Sequence, residues 1–525
     1  MQQEPEVKRQ GTIFVLVSKI NPSSQPVLFF PYPAFVKLER PCPAGYEVRE
    51  MYGDGSLHLS FAGTKRLLYN AITNALRATN VRKTASCNNW NIFWGEHLKC
   101  AALLPFQRVN HFPGSFELGR KDRLCSHLLR MRKRHPHAYA DIIPETYVTA
   151  NDYDKQQFLT RFHAEPNAVW ILKPPNLSCG RGIKLVSAST HPTPKLSKKK
   201  AYVAQRYVAN PFLINGLKFD LRVYVAVTSY DPMRIYLFND GLVRFCTEKY
   251  STKKSDLQNP FGHLTNYSIN KQNCAAFQKN HDTQDDFHTF SSSKWSLQML
   301  YTYLRDQGKA FELETFQKAL EELIVKTLIA VQDKLASASS CNTFELYGFD
   351  VLIEGDYLMP RLLEVNIFPS LSSSSPMDKR IKTVLVSDLF QLVGIPFVDA
   401  KRETQQLEKA KLARLHGIKQ PGVTRASLRK ENETLRRQRT LDELSRSANN
   451  ITMSQLSDED LQLVKEMEEE LHRCGHFKRI FPTAQSFDKY SELFDTLRYR
   501  TLLCMRWLQH TNQDGGRRLP PTVKR

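Results

Sequence analysis

The sequence predicts a mixed α/β (α+β) protein. Strand signals crowd the stretch from Ala168 to Asn366, two amphipathic helical stretches interrupt them, and a shorter mixed region precedes them. At 525 residues the chain is too long for one compact core, which implies two or three domains. With 41% hydrophobic and 10% aromatic residues, most of it has the material to fold.

Taken in order, residues 11 to about 110 mix short apolar runs with the turn signals PYP, PCPAG and GDG, as a small α/β unit does. Leu68, Ile72 and Leu76 recur at helical spacing inside KRLLYNAITNALRAT. RKDRLCSHLLRMRKRH opens a basic amphipathic helix near Lys121. AVWILKPP, AYVAQRYV, FDLRVYVAVTS, MRIYLFNDGLVRF and FDVLIEGDYLMPRLLEVN then read as strands. WSLQMLYTYLRDQG and a stretch near 312–335 read as helices between them. Beyond about Val398 the composition shifts: residues 401–446 hold 13 Lys/Arg against 6 Asp/Glu and are poor in aromatics, as an appended helical extension would be. The expected divisions are 1–115, an N-terminal α/β domain; 116–208, a central domain; 209–400, a C-terminal domain; and 401–525, the basic extension.

The formal net charge of +21 favours an acidic partner. The ten cysteines form no CxxC pair and no histidine pair has zinc spacing, which fits reduced thiols in the cytosol. The apolar TIFVLV is too short for a signal segment or a membrane span, so no membrane partner is expected. Nucleic acid is the first rival suggested by charge, but no ribonucleoprotein, zinc-finger or helix-turn-helix signature accompanies it. No nucleic acid is therefore expected either.

The hairpin Phe349–Asn366 carries acids where a core strand would be apolar. Side chains alternate along a strand, so Glu364 and Asn366 share one face. A turn centred near Tyr357 sets Asp350 opposite Glu364, and three oxygen donors converge. They suffice for Mg²⁺ once phosphate oxygens and waters complete its octahedron; the plain alternative is a solvated edge hairpin. Upstream, WILKPPNLSCGRGIKLV sets Lys173 at a strand end before a turn holding Gly180 and Gly182. A strand-end lysine and a Gly-rich turn suit phosphate, although this is not a Walker A loop and Leu185 breaks GxGxxG. KFDLRVYV puts Lys218, Asp220 and Arg222 on one strand face, and Arg244 repeats the pattern on a later strand. Several strands aim cations and one hairpin aims anions, which a triphosphate with Mg²⁺ would satisfy.

Eight motifs in order carry a resemblance: NHFPG (110–114), RKDRL (120–124), LKPP…GRGI, QRYV (205–208), KFDLRVYV, HLTNYSINK (263–271), LYGFDV (346–351) and LLEVNIFPSL (362–371). The series resembles the tubulin tyrosine ligase-like family, in its polyglutamylase branch, over about residues 85–400, with a weaker likeness in FKRIFPT (477–483). The resemblance implies an ATP-grasp fold with ATP and Mg²⁺ between two antiparallel sheets. It implies that Lys173, Arg181 and Gly182 hold the ATP phosphates and that Lys121 reaches the nucleotide. Gln205, Arg206, Tyr207 and Val208 would form the hinge beneath adenine, and Lys218, Asp220, Thr265 and Asn266 would also bind ATP. Arg222 would lie near the transferring phosphoryl group, making Arg222, Lys218 and Glu364 the catalytic set. Asp350, Glu364 and Asn366 would be the magnesium ligands. Arg244, Tyr267, Ser268, Lys294 and Lys382 would hold the amino-acid substrate. Phe368 stands where relatives usually carry a small residue, a departure beside the metal site.

In the implied reaction ATP converts a glutamate γ-carboxylate into an acylphosphate, and the amine of free L-glutamate attacks it, displacing phosphate, to form an isopeptide bond. Alignment and charge neutralisation are what phosphoryl transfer asks of the protein. Free glutamate has two carboxylates, so Arg244, Lys294 and Lys382 suit it better than glycine or tyrosine. The expected substrate is the acidic tail of tubulin, on microtubules, by a monomer in the cytoplasm and cytoskeleton, with cilium, flagellum or basal body as candidate places. The alternatives are a glycine or tyrosine ligase, and a non-enzymatic microtubule- or nucleic-acid-binding protein. His111 reads as a hydrogen-bonded structural histidine, KLSKKK (195–200) as a solvated loop, and Ser372 to Ser375 as a polar loop without a paired histidine.

Overall fold

The structure is a computed structural model describing residues 12–52, 59–85, 89–98, 103–178, 180–191, 194, 196, 201–273, 276, 293–336, 342–415 and 456–513. It is a mixed α/β protein with several antiparallel sheets.

The N-terminal region holds two small sheets. In the first, β1 (Thr12–Ser18) lies between β2 (Val27–Leu28) and β3 (Tyr46–Tyr52), both antiparallel to it. The second is parallel, in the order β5 (Arg82–Lys83), β4 (Ser60–Gly63), β6 (Ile92–Trp94), β7 (Arg108–Val109). The helix Asn70–Ala78 connects β4 to β5 and buries Ala71, Ile72, Ala75 and Leu76, the stripe its spacing predicts.

A four-stranded antiparallel sheet follows, in the order β10 (Lys184–Val186), β9 (Trp170–Lys173), β11 (Val203–Arg206), β8 (Thr146–Val148). The largest sheet has seven strands. Its central run is β15 (Lys294–Ser296), β14 (Met233–Lys249), β13 (Leu217–Tyr230), β16 (Glu345–Glu354), β17 (Met359–Asn366). β12 (Leu213–Ile214) pairs with β13, and β18 (Phe477–Phe481) pairs with β14.

The strand period of two divides β13 between two environments. Its odd residues Phe219, Leu221, Val223, Val225 and Val227 are buried in one core with the helices Leu297–Asp306 and Ala310–Ile329. On the even face, Tyr224 and Ala226 join a second core with Ile72 and Leu76 of the N-terminal unit and Leu385 and Phe390 of the helix Pro376–Val393. Further along that face the apolar cover ends, and Arg222, Asp220 and Lys218 take its place. The charged stretch is therefore set beside a rigid core.

One expectation needs correction. Residues 456–513 are not a purely helical appendage: β18 extends the seven-stranded sheet, with Phe477 in one core and Phe481 in the other. Asp388 in the helix Pro376–Val393 also binds His476 through its backbone N–H at 3.0 Å and its ring at 2.8 Å. The reason is non-local pairing, which leaves no mark on local periodicity. The helix Ala400–Leu415 carries the first part of the basic segment, and its Leu407 and Leu412 are 40% and 54% exposed. Residues 416–446, including Arg436, Arg437 and Arg439, lie outside the described residues, as does nearly all of KLSKKK. Among the described residues no helix is long and apolar enough to cross a membrane.

Candidate active site

β16 and β17 form the hairpin that alternation predicts, with a turn at Gly355–Leu358. Asp350 pairs with Glu364 in register, and Gly348 pairs with Asn366. A register shift just past Asp350 leaves Leu363 as the extra residue, since Val351 pairs with Leu362. The Asn366 amide nitrogen lies 3.4 Å from Asp350 Oδ2 and 3.3 Å from Glu364 Oε1, so the three side chains converge.

Each carboxylate meets a cation from another element. Arg222 on β13 donates from Nε to Asp350 Oδ1 at 2.5 Å and from its terminal nitrogen to Oδ2 at 3.1 Å. Arg244 on β14 donates twice to Asp220, at 2.7 and 2.5 Å, and lies 3.0 Å from Asp350 Oδ2. Lys121, first residue of the helix Lys121–Arg134, lies 2.9 Å from Glu364 Oε2. Burial would raise the Asp350 carboxyl, but Arg222 and Arg244 hold it well below the usual carboxylate range. Gly348 makes room for this: a Cβ there would sit 3.0 Å from both Arg222 Cδ and Pro369 Cβ.

A cleft opens between the four-stranded and seven-stranded sheets, about 850 Å³ counted out to its mouth. Lys173 lies at its base, donating to Gln205 Oε1 at 2.8 Å, and burial pushes its ammonium down to about 8. Gln205 in turn donates to Thr146 Oγ1 at 2.9 Å, which fixes the acceptor toward the lysine. Lys218 is also lowered by burial and donates to Tyr207 Oη at 2.8 Å and to the His263 carbonyl at 3.1 Å. Arg206, Asp220, Thr265 and Asn266 add to the polar lining, while Ile171, Ile183, Val208, Leu352 and Leu363 supply apolar residues. Gly180 (φ 73°) and Gly182 (φ 71°) adopt left-handed backbone that glycine allows. A Cβ on Gly180 would sit 2.5 Å from Ile269 and 2.8 Å from Asn266 Oδ1, so this turn closes onto the 265–270 segment. Arg181 lines the cleft from an exposed position.

Gly182, Arg222, Arg244, Tyr267, Ser268, Lys294, Asn366 and Lys382 sit outside that lining. Lys294 Nζ stands 4.2 Å over the Tyr267 ring, and Tyr267 and Ser268 open the short helix Tyr267–Asn270. Lys294 and Lys382 both reach Asp378, at 3.5 and 2.7 Å. Asp378 was not anticipated from sequence; its signal was a helix start in SSSSPMDK, with an acid at the third helical position. His263 was quoted within a motif without a role, and its ring nitrogen Nδ1 meets Tyr207 Oη at 2.9 Å. His111 pairs with fully buried Glu345 at 2.7 Å, and its ring lies 4.5 Å from that of Phe368.

The profile of the family described as tubulin-tyrosine ligase matches residues 99–405, which hold every site residue named above. The chain belongs to the tubulin-tyrosine ligase family. Among the relatives of known name within it, the chain is similar to "Tubulin monoglutamylase TTLL4" of Homo sapiens, 34% identical over 465 residues, covering 85% of this chain and 37% of that protein. "Tubulin polyglutamylase TTLL5" of Mus musculus is 35% identical over 430 residues, with 78% of this chain and 31% of that one covered. "Tubulin polyglutamylase ttll-4" of Caenorhabditis elegans is 33% identical over 457 residues, with 83% and 70% covered. The chain thus spans only about a third of the first two relatives and 70% of the third.

Proposed function

We propose that this protein is an ATP-dependent ligase that joins free L-glutamate to the γ-carboxylate of glutamates in acidic protein tails, tubulin foremost. One observation carries the reading: Asp350 and Glu364, with the Asn366 amide against both, open beside Lys173 and Lys218 into a cleft between two antiparallel sheets, the arrangement an ATP-grasp ligase needs. The names of the family members above, mono- and polyglutamylases of tubulin, support the choice of reaction and substrate.

In this reading residues 116–208 and 209–400 are the two nucleotide-binding lobes, with 1–115 packed on the second. Adenine would lie against Ile171, Ile183 and Leu352 with the backbone of Gln205, Arg206, Tyr207 and Val208 at its edge. Lys121, Lys173, Lys218, Arg181 and the Gly182 backbone would meet phosphate oxygens, with Asp220, Thr265 and Asn266 beside the nucleotide. Two carboxylates, each within 3.4 Å of the Asn366 amide, are with that amide's oxygen a hard-oxygen set that fits Mg²⁺. Asp350, Glu364 and Asn366 would hold the ion, which when bound neutralises phosphate charge.

Arg222 then faces the carboxylate being activated and stabilises charge developing on the transferred phosphoryl group. Arg244, Lys294 and Lys382, with Tyr267 and Ser268, orient the incoming amino acid by its two carboxylates. All of these groups come from one chain, so a monomer suffices. The exposed Leu407 and Leu412 on the basic helix Ala400–Leu415 fit a segment that lies on an acidic microtubule surface. The site of action would be the cytoskeleton, with cilia, flagella and basal bodies as the places to look. Labelled glutamate should enter intact tubulin in the presence of ATP and spare tubulin whose tails have been removed by proteolysis; equal labelling of both would reject acidic tails as the acceptor.

A further inference from the structure

The two lysines assigned to the amino acid converge on one buried carboxylate. Asp378 has a fully buried side chain near the start of the helix Pro376–Val393, where its backbone N–H donates to the capping Ser375 hydroxyl at 3.2 Å. Its Oδ1 lies 2.7 Å from Lys382 Nζ, one turn along the same helix. Its Oδ2 lies 3.5 Å from Lys294 Nζ, which comes from β15. The same oxygen accepts from the Ser374 backbone N–H at 3.0 Å and the Ser374 hydroxyl at 3.2 Å. Lys294 also donates to Ser374 Oγ at 2.7 Å, and Lys382 to the Ser372 carbonyl at 2.5 Å. A loop, a helix and a sheet edge are thereby tied together by a residue that lies outside the cleft lining.

Charge balance gives the arrangement meaning. Arg222, Arg244, Lys294 and Lys382 are four cations, and Asp220, Asp350 and Asp378 are the three carboxylates they pair with. Among these paired groups the cations outnumber the carboxylates by one. Free glutamate, with two carboxylates and one ammonium, carries one negative charge at neutral pH.

We propose that Asp378 is the positioning residue of the amino-acid site, fixing Lys294 and Lys382 as a charged pair with the spacing that receives a dicarboxylate amino acid. The assignment rests on reading the site as a glutamate ligase. Burial pushes Lys382 down to about 8 and lowers Lys294 as well. Asp378 opposes that fall in both, whereas Arg222 adds to it in both and Arg244 adds to it in Lys294. Tyr224 of β13, also buried, faces the same charges: Arg222, Asp378, Arg244 and Asp350 act on its phenol. Without the Asp378 charge both lysines lose their protons at lower pH, and acid restores them.

The test is steady-state kinetics of the full chain with varied glutamate or varied ATP, on wild type, Asp378→Asn and Asp378→Glu. At about pH 7.5 the Asn variant should raise the KM for glutamate at least about tenfold, with kcat within about threefold of wild type and the KM for ATP unchanged. The excess in KM should shrink as pH is lowered to about 6.5, where the lysines are protonated again. Asp378→Glu keeps the charge and should retain the wild-type pH profile, which also separates charge from folding if the Asn variant is unstable. An Asn variant with wild-type glutamate KM and pH profile overturns the assignment. So does a loss in kcat and both KM values that acid does not relieve and Asp378→Glu shares. A wild-type protein that turns over no glutamate overturns the reading of the site, and this assignment with it.

Discussion

Asp350 and Glu364 face each other across the β16–β17 hairpin, yet each is held by cations from a different part of the chain. Arg222 and Arg244 reach Asp350 from neighbouring strands of the same sheet, and Lys121 reaches Glu364 from the helix that precedes the smaller sheet. Two like charges on adjacent strands would repel; the cations make the pair tolerable, and the Asn366 amide lies within 3.4 Å of one oxygen of each.

Glu364→Gln keeps the shape of the hairpin and removes one of the two charges. Ligation should fall at least about a hundredfold, roughly 2.7 kcal/mol of barrier, with the far-ultraviolet circular dichroism spectrum unchanged. Near-normal turnover would take the hairpin out of the reaction.

Lys173 supplies a pH dependence. Its folded-state value near 8 lies below that of an ordinary lysine, so the group is charged below that pH and neutral above it. A phosphate partner binds the charged form, so nucleotide affinity should be full below about pH 8 and fall as pH rises through it. A fluorescent nucleotide titrated from pH 6.5 to 9.5 reads this directly. Lys173→Met should weaken binding at least about tenfold at neutral pH and flatten the profile. The same slope in wild type and variant would place the titrating group elsewhere.

Asp220 and Arg244 form a doubly hydrogen-bonded pair with little exposure on either side chain. Arg244→Met strands the carboxylate and should destabilise the fold by about 3–5 kcal/mol in urea unfolding, whereas Arg244→Met with Asp220→Asn should lose much less. Strictly additive losses would mean the two groups do not depend on each other.

Much of this architecture was legible in the sequence because local alternation and local charge coincide. Phe219, Leu221 and Val223 against Lys218, Asp220 and Arg222 predict a strand with one charged face, and β13 has it. Alternation and a turn near Tyr357 predict Asp350 opposite Glu364, but the observed turn would set Asp350 against Leu363, and the extra residue at Leu363 is what restores the pair. What escaped depends on distance along the chain. β18 pairs with a strand more than two hundred residues earlier, and Asp378 gains its role from Lys294 on β15, about eighty residues away. The parallel pairing of β4, β5, β6 and β7 was hidden for another reason: strands of two to four residues are too short to show a period.

The basic segment gives a salt-sensitive expectation. Residues 401–446 carry 13 Lys/Arg against 6 Asp/Glu, and attraction to an acidic polymer weakens as salt shortens the screening length to about 8 Å near physiological strength. Neutralising Arg436, Arg437 and Arg439 together should lower microtubule binding and activity on polymer while sparing activity on a short acidic peptide. Equal loss on both substrates, or binding that ignores salt, would argue for a role in the fold.

Fragmentation mass spectrometry of tubulin tails decides the reaction itself. After incubation with the protein, ATP, Mg²⁺ and glutamate, glycine or tyrosine in separate reactions, tail peptides should gain glutamyl units, and only in the glutamate reaction. The fragments should place the new bond on the γ-carboxylate of a tail glutamate. Glycyl or tyrosyl additions, a linkage through the chain's α-carboxyl terminus, or glutamyl addition that persists without ATP would contradict it.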